Sequence, residues 1–305
     1  MDEAPSHEAQ PPYDDQIVAA RDTAVVQIVE DQSSRDENVY ETDESLHMYL
    51  GLHFPSSGAD EGVLPIIHHS HAPIHALRFP QRVAELLIGL NSGKMERALD
   101  VGCAVGGSSF ELAKRFDRVD AFDYSSNFVA AAKRMKTGEK VRFNIPIEAD
   151  LLAEVTAVHE EGITQEIRDK VNFFQGDACR IGEMMVSDEQ LGNYDGIIMS
   201  NLLCRLPDPL SCLSGLSSVV NTGGVVVIVT PFSWLEQFTL RNKWLGGFYD
   251  PVSKEPRRSK DELQRIMEEQ GFEKIHEEEM PLVIREHQRK YQYIVSKATG
   301  WRKVG

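Results

Sequence analysis

A short apolar run that ends in an acid and two glycines is the first place in the chain where chemistry is expected. Residues 98–101 contain Asp100, and Gly102 and Gly106 follow directly. This pattern predicts a strand, a tight turn and a helix from about 107 to 116. Glycine lets a backbone turn sharply and approach a ligand closely, so the loop is a candidate binding site.

The spacing within this loop indicates which kind of ligand it suits. The order is Asp-x-Gly-x-x-x-Gly, whereas loops that hold a pyrophosphate read Gly-x-Gly-x-x-Gly. An acid in the loop repels a phosphate and favours a cation, such as the ammonium group at the methionine end of S-adenosylmethionine (SAM). A plain glycine-rich turn is the alternative interpretation.

Polar side chains also follow three later apolar runs. Asp123 ends the second predicted strand, where an acid in a doubly wound fold accepts from both ribose hydroxyls; a helix-capping acid is the alternative. Asp177 is placed to accept from an adenine amino group, and the N–H of Ala178 or Cys179 to reach adenine N1. Asn201 follows a continuous apolar run that predicts a buried strand.

The elements that must position these residues alternate between strand and helix five times, and a final antiparallel pair covers about 272–280 and 291–296. Such alternation predicts an α/β fold with a doubly wound, mostly parallel sheet of seven strands and helices on both faces. Ligands of such sheets lie at the carboxyl ends of the strands, where all four polar positions fall. The missing Gly-x-Gly-x-x-Gly argues against an NAD-dependent oxidoreductase.

Composition narrows the partners further. The chain has 305 residues and a net charge of −16, which disfavours nucleic acid and anionic membranes. No apolar run approaches the roughly 20 residues of a membrane span, and the acidic N-terminus is not a secretory signal. The cysteines show no paired metal spacing, so we expect reduced thiols in a cytoplasmic protein.

The chain divides into three predicted regions. Residues 1–38 contain ten acidic and two basic residues and are expected to form a disordered acidic tail. Residues 39–81 form a helix, capped by Thr42 or Asp43, and a histidine-rich loop over the substrate site; solvated loop histidines are favoured there over a metal site. Residues 82–305 form the ligand-binding domain, with an insertion at about 137–170 that would cover the active site.

Two further segments keep alternative interpretations. A helix is predicted over 82–90, and Arg82 at its start lies either near the glycine loop or on the surface. The segment 234–249 is rich in aromatic residues and forms either a lid or a packing cluster.

With these motifs assembled, the chain from about residue 82 resembles class I SAM-dependent methyltransferases, which have a Rossmann-like fold. Five segments resemble one subfamily more closely, the 4-mercaptohistidine (5-thiohistidine) N-methyltransferases of ovothiol biosynthesis, here in a stand-alone form. These segments are Tyr40-Glu41-Thr42 with Tyr49-Leu50-x-x-His53-Phe54, residues 98–110, residues 175–179, residues 201–209, and Trp234-Leu235-Glu236 with residues 244–247. The histidine-rich loop is longer than the subfamily pattern.

The resemblance implies SAM as the methyl donor, S-adenosylhomocysteine (SAH) as the product and a small molecule as the acceptor. Asp100, Gly102 and Gly106 would shape the methionine pocket, and Asn201 would lie beside the transferred methyl. The full set of candidate cofactor-binding residues is Arg82, Asp100, Gly102, Cys103, Gly106, Asp123, Tyr124, Asp177, Ala178 and Asn201.

For the acceptor, the resemblance implies methylation of an imidazole nitrogen. The acceptor's carboxylate needs a cationic clamp, for which Arg205 is the leading candidate and Arg82 the second. Tyr40, His53 and Glu236 are candidates for the ring and the ammonium group, and a structural role is the alternative for each. The alternative functions are methylation of another small amino acid or carboxylate, and a catalytically silent methyltransferase-like partner protein.

Overall fold

A computed structural model describes residues 38–54, 73–187 and 191–305 of the chain. The predicted acidic tail and the histidine-rich loop with His68, His69 and His71 therefore lie outside the described residues, except for Asn38 and the end of the loop at Pro73.

The strands are β1 Arg97–Val101, β2 Arg118–Asp123, β3 Arg142–Glu148, β4 Leu151–Thr156, β5 Val171–Gln175, β6 Tyr194–Ser200, β7 Val220–Thr230, β8 Phe248–Tyr249, β9 Pro256–Arg257, β10 Phe272–His287 and β11 Lys290–Lys303. The α-helices are α1 Asp43–His53, α2 Phe79–Leu90, α3 Gly107–Leu112, α4 Ser126–Thr137, α5 Gln165–Asp169, α6 Ile181–Ser187, α7 Pro209–Val219 and α8 Ser259–Glu269.

Seven strands form the central sheet in the order β10-β11-β7-β6-β1-β2-β5. The five strands from β7 to β5 pair in parallel, and β11 pairs antiparallel with both β7 and β10. The predicted fold class, a mostly parallel seven-stranded α/β sheet, is confirmed. The register places Asp100 opposite Ala121 of β2 and Ile198 of β6, so β1 lies at the centre of the parallel part.

Both faces of the sheet are covered, which explains the continuous apolar runs of its central strands. Leu87 of α2 and Phe110 of α3 pack on one face together with Leu50 of α1. Leu213 of α7 and Met267 of α8 pack on the opposite face. The polar groups of the loops are thereby confined to the ends of the strands.

Several predicted boundaries shift. The helix α3 ends at Leu112 and not near residue 116, because Lys114 and Arg115 donate to the carbonyls three residues back and tighten the last turn. The closing strands are longer than predicted and extend to His287 and Lys303. Gly223 and Gly224 lie within β7, where pairing with β6 breaks between Val220 and Val225.

The predicted insertion contains the β3–β4 hairpin and α5. The hairpin packs beside α1 and β10, and the N–H of Gln288 donates to the carbonyl of Pro146 at 2.9 Å. Coverage of the active site by this insertion stays a prediction. Within the described ranges, the structure contains no helix long and apolar enough to cross a membrane.

Candidate active site

The acid of the first loop is buried directly beneath α3. Asp100 is 2 % exposed, and the Ser109 hydroxyl donates to its Oδ2 at 2.6 Å. Cys103 is buried beside it, and burial raises the pKa of this thiol, which makes it a poor nucleophile. Asp100 and Cys103 thus lie buried beneath the loop.

The loop itself needs residues with left-handed backbone conformations. Gly102 has φ +74°, and a Cβ there would lie 2.9 Å from the side chain of Leu202. Ala104 also has a positive φ of 47°, and its N–H donates to Asp123 Oδ2 at 2.9 Å. Gly106, with φ +91°, leads into α3. A non-glycine residue in this conformation stores strain, and here the strain aims an N–H at the second acid.

Asp123 follows β2 and is held by backbone donors from both sides. Besides the Ala104 bond, the Ser125 N–H donates to Asp123 Oδ1 at 2.9 Å. The carboxylate is therefore fixed in orientation, and each oxygen keeps acceptor capacity for a ligand hydroxyl. Tyr124, the next residue, is exposed, and its carbonyl accepts a hydrogen bond from Gln175 Nε2.

The two acids carry unusual pKa values. Burial raises the pKa of Asp100 to about 7 and that of Asp123 to about 6, against the opposing effect of their hydrogen bonds. Neither carboxylate has an ion pair with Lys, Arg or His in the part of the chain that the structure describes. A cationic ligand would supply the missing positive charge, so these acids suit an ammonium or sulfonium group.

The residues after β5 have the predicted position but one changed role. Asp177 caps a short 3₁₀ helix, Ala178–Arg180, and accepts the Cys179 N–H at Oδ1 over 2.9 Å. The Cys179 N–H is thus occupied and is not free for adenine N1. Ala178 is buried.

Asn201 ends β6 in a left-handed conformation with φ 52°. The Ser296 hydroxyl of β11 donates to Asn201 Oδ1 at 2.8 Å. The two N–H donors of the Asn201 amide and the second lone pair of its oxygen are left for a ligand. Asparagine tolerates this backbone conformation better than most residues, which explains the residue type here.

The N-terminal segment before α1 is attached to the start of α4, next to Asp123. The Glu41 carboxylate accepts the N–H of Ser126 at 2.7 Å, and the Ser125 hydroxyl donates to the carbonyl of Tyr40 at 2.8 Å. Thr42 caps α1, as predicted, by accepting the Ser45 N–H at 3.2 Å. These contacts place Tyr40 at the edge of the site.

An aromatic cluster forms around Tyr40. Its ring stacks on Phe238 at a centroid distance of 5.9 Å and meets Tyr49 edge-on at 6.1 Å. Tyr49 in turn packs on Phe128 at 4.9 Å. Burial raises the pKa of both tyrosines, so their hydroxyls stay protonated. Phe238 comes from the aromatic segment of the chain, which therefore contributes to packing beside the site.

Arg205 completes this cluster. Its guanidinium lies 4.9 Å from the centroid of the Phe238 ring and interacts with the Tyr40 hydroxyl. One terminal nitrogen donates to the carbonyls of Cys204 and Ser233, each at 2.9 Å. The guanidinium is therefore rigidly placed and uses part of its donors on the backbone.

His53 links the last turn of α1 to the glycine loop. The Gly107 N–H donates to His53 Nδ1 at 3.0 Å. A Cβ at Gly107 would lie 2.8 Å from the same nitrogen, so glycine permits this close approach. His53 is 7 % exposed, and burial lowers its pKa to about 3.

The structure places two other candidates away from this group. The Arg82 guanidinium donates to the carbonyls of Leu77 and Pro281 and thereby ties α2 to β10. Glu236 is exposed, and within the described ranges it forms no hydrogen bond or ion pair. Ligand contacts by Arg82 and Glu236 stay predictions.

Four contributors to the site were not singled out as site residues from the sequence. Ala104, Phe128, Phe238 and Ser296 act through a strained backbone, ring packing or a hydroxyl that arrives from the last strand. Tyr49 is a fifth contributor, but it lies four residues before His53 and so belongs to a recognisable face of the helix α1. The others carry no local signal, because their partners are distant in the sequence.

The methyltransferase domain family matches residues 70–277, which is more than half of the chain, so the chain belongs to this family. The protein is thus an enzyme of the SAM-dependent methyltransferase class, with SAM as methyl donor and SAH as product. No curated protein gives a significant match to the sequence.

Solved structures similar to this chain include several methyltransferases. A SAM-dependent methyltransferase of Methanosarcina mazei is 19 % identical, with a TM-score of 0.45 over 71 % of this chain and 97 % of that one. The magnesium protoporphyrin IX methyltransferase of Synechocystis, with bound SAH, is 18 % identical, with a TM-score of 0.42 over 72 % of this chain and 82 % of that one. The N-methyltransferase NodS of Bradyrhizobium japonicum is 13 % identical, with a TM-score of 0.44 over 74 % of this chain and 97 % of that one.

Proposed function

We propose that the protein transfers a methyl group from SAM to an imidazole ring nitrogen of 5-thiohistidine. The observation that carries the proposal is the juxtaposition of the buried acids Asp100 and Asp123 with a cluster of Tyr40, Tyr49 and Arg205. Asp123 raises and Arg205 lowers the pKa of Tyr49, so this acid and the cluster are within electrostatic range of each other.

The residues at the strand ends fit SAM by their chemistry. Asp123 has fixed acceptor oxygens for the ribose hydroxyls, and Asp100 is a buried acid without a cationic partner in the described residues, suited to the ammonium group. Asp177 would face adenine. SAM supplies an electrophilic methyl group on a sulfonium when bound, and every remaining task belongs to side chains of this chain.

The acceptor side fits a small aromatic amino acid. Tyr40, Tyr49 and Phe238 offer ring surfaces, and the guanidinium of Arg205 has donors left for a carboxylate. An attacking imidazole nitrogen needs a free lone pair, so its proton must reside on the other ring nitrogen. Because the Ser296 hydroxyl uses only one lone pair of Asn201 Oδ1, this oxygen can still accept from the protonated ring nitrogen and so favour that tautomer.

Catalysis in this scheme is mainly alignment. Fixed orientation of two reactants supplies about 7–11 kcal/mol in favourable cases, and a strong general base is not required. This agrees with the site, since the His53 imidazole has a pKa of about 3 and both tyrosine hydroxyls have raised pKa values.

Incubation of the protein with SAM and 5-thiohistidine tests the proposal. We expect one added methyl on a ring nitrogen, detected by mass spectrometry and located by NMR, with one equivalent of SAH released. Histidine, which lacks the sulfur, is the matched control acceptor. Turnover of a different amino acid with no product from 5-thiohistidine would assign the enzyme to another acceptor.

A further inference from the structure

The two nitrogens of the His53 imidazole are in different situations. Nδ1 accepts the Gly107 N–H at 3.0 Å and so cannot carry a proton. A neutral imidazole has one N–H, which must then be on Nε2. The backbone of the glycine loop therefore fixes the tautomer of this side chain.

His53 also stays neutral throughout the working pH range. It is 7 % exposed, and burial lowers its pKa to about 3. Nε2 has no hydrogen-bond partner among residues 38–54, 73–187 and 191–305, yet it is not one of the fully buried atoms left unpaired. The imidazole thus presents a permanent N–H donor at the small exposed part of its surface.

This donor adds to those of Arg205, one nitrogen of which already donates to two carbonyls. Arg82 lies away from this group and donates to the carbonyls of Leu77 and Pro281. Asp100 and Asp123 provide acceptors only. A ligand with an amino-acid moiety has acceptors for its ammonium group here, while its carboxylate needs an N–H donor.

We propose that His53 Nε2–H donates a hydrogen bond to the carboxylate of an amino-acid moiety bound beside the glycine loop. This inference deepens the proposed function. It rests on that function only in the second experiment below, which uses 5-thiohistidine as the acceptor. It replaces the expectation that His53 binds the acceptor's ammonium group, because an N–H donor cannot accept from an ammonium group. SAH and 5-thiohistidine both carry such a carboxylate.

Two variants separate the roles of the two nitrogens. His53→Asn keeps an acceptor near Nδ1 for the Gly107 N–H and loses the distal donor. His53→Gln keeps a donor near Nε2 and loses the acceptor. His287 is the matched control, because its Nδ1 also accepts a backbone N–H, that of Arg289 at 3.1 Å, at the turn between β10 and β11. We expect His287→Asn to bind like the parent.

The first experiment uses titration calorimetry to compare the affinities of SAH and of decarboxylated SAH for each variant. Decarboxylated SAH keeps the adenosine, thioether and ammonium groups. In the parent and in His53→Gln, loss of the carboxylate should weaken binding about 10- to 100-fold, the range for a hydrogen bond to a charged group. In His53→Asn the two compounds should bind alike. This experiment needs no turnover, so it is independent of the acceptor's identity.

The second experiment measures KM for two acceptors, the amino acid 5-thiohistidine and its decarboxylated form. If SAH binding is unchanged in His53→Asn but the KM advantage of the carboxylate is lost, the donor serves the acceptor and the proposal stands. If His53→Asn discriminates both carboxylates as the parent does, the proposal is overturned. Loss of discrimination in His53→Gln alone would also overturn it, by assigning the effect to the Gly107 contact.

Discussion

The residues that we propose for the methyl donor (the donor half) and those that we propose for the acceptor (the acceptor half) are positioned in different ways. The donor half, Asp100, Gly102, Asp123 and Asp177, follows strands that are neighbours in the sheet. The acceptor half, Tyr40, Tyr49, His53, Arg205 and Phe238, comes from segments far apart in the chain. Parallel topology alone brings the first set together, whereas the second depends on the docking of separate segments.

The contacts that hold the two halves differ accordingly. Backbone N–H groups of Ala104 and Ser125 orient Asp123, so the donor half is fixed by the loops that contain it. Ring packing and the Glu41 contact with α4 hold the acceptor half. We therefore expect substitutions in the donor half to affect SAM binding directly, and those in the acceptor half to affect the acceptor and its docking.

The largest effect is expected for Asp123→Ala, which removes the fixed acceptor for the ribose hydroxyls. Affinity for SAM should fall about 100-fold or more, because two hydrogen bonds to a charged group are lost. Titration calorimetry measures this, and Asp117→Ala, an exposed acid just before β2, is the control. Binding as tight as that of the parent would remove Asp123 from the ribose site.

Arg205→Ala tests the acceptor half. The KM for the amino-acid acceptor should rise about 10- to 100-fold through loss of a charge-assisted bond, while SAM affinity stays within about twofold. Steady-state kinetics and calorimetry on the same variant separate the two effects. An unchanged KM would mean that Arg205 only donates to the carbonyls of Cys204 and Ser233 and does not bind the acceptor. Arg241→Ala is the control for the loss of a stacked arginine, because Arg241 lies over the Trp244 ring.

The same contrast explains how much of the molecule the sequence could predict. The strand ends at Asp100, Asp123 and Asn201 follow from local apolar runs, and the parallel topology of the sheet brings these ends together. The closing strands are longer than predicted, since the β10–β11 hairpin stays paired from Phe272 and Lys303 to the turn at His287 and Lys290.

The acceptor half was predicted in part, through a resemblance to a subfamily. Tyr40 and His53 are candidates from the sequence, but their contacts with Phe238 and Gly107 are not predicted by it. A tautomer fixed by a backbone N–H, or the engagement of Arg82 with Pro281, depends on atomic contacts that no spacing rule encodes.

The pH dependence of cofactor binding sharpens the comparison, because raised carboxyl pKa values occur in the donor half. Asp100 has a pKa of about 7 and Asp123 of about 6 in the ligand-free protein. A cationic ligand binds the ionised forms, so affinity for SAH should rise about tenfold from about pH 6 to about pH 7.5, with release of protons. Calorimetry in buffers of different ionisation enthalpy measures this release.

The sign for stability is opposite. Between about pH 4 and 7 the folded, ligand-free protein holds protons on these two acids that the unfolded chain has released, so their contribution to the free energy of unfolding falls as pH rises. Asp123→Asn should flatten the binding profile and retain only the part due to Asp100. A profile that is flat already in the parent would contradict the assignment of these acids to a cationic ligand.

The smallest effect is expected at Glu41, which joins the two halves. Glu41→Ala removes the acceptor for the Ser126 N–H at the start of α4, a loss of about 1 kcal/mol for a helix cap. Because Tyr40 is the neighbouring residue, the acceptor KM should rise a few-fold while SAM affinity changes little. Kinetics and a thermal melt of Glu41→Ala measure these effects, with Glu44→Ala, an exposed acid in the first turn of α1, as control. If Glu41→Ala weakened SAM binding and acceptor binding equally, the donor half and the acceptor half would depend on the same contact. The distinction between the contacts that hold each half would then be wrong.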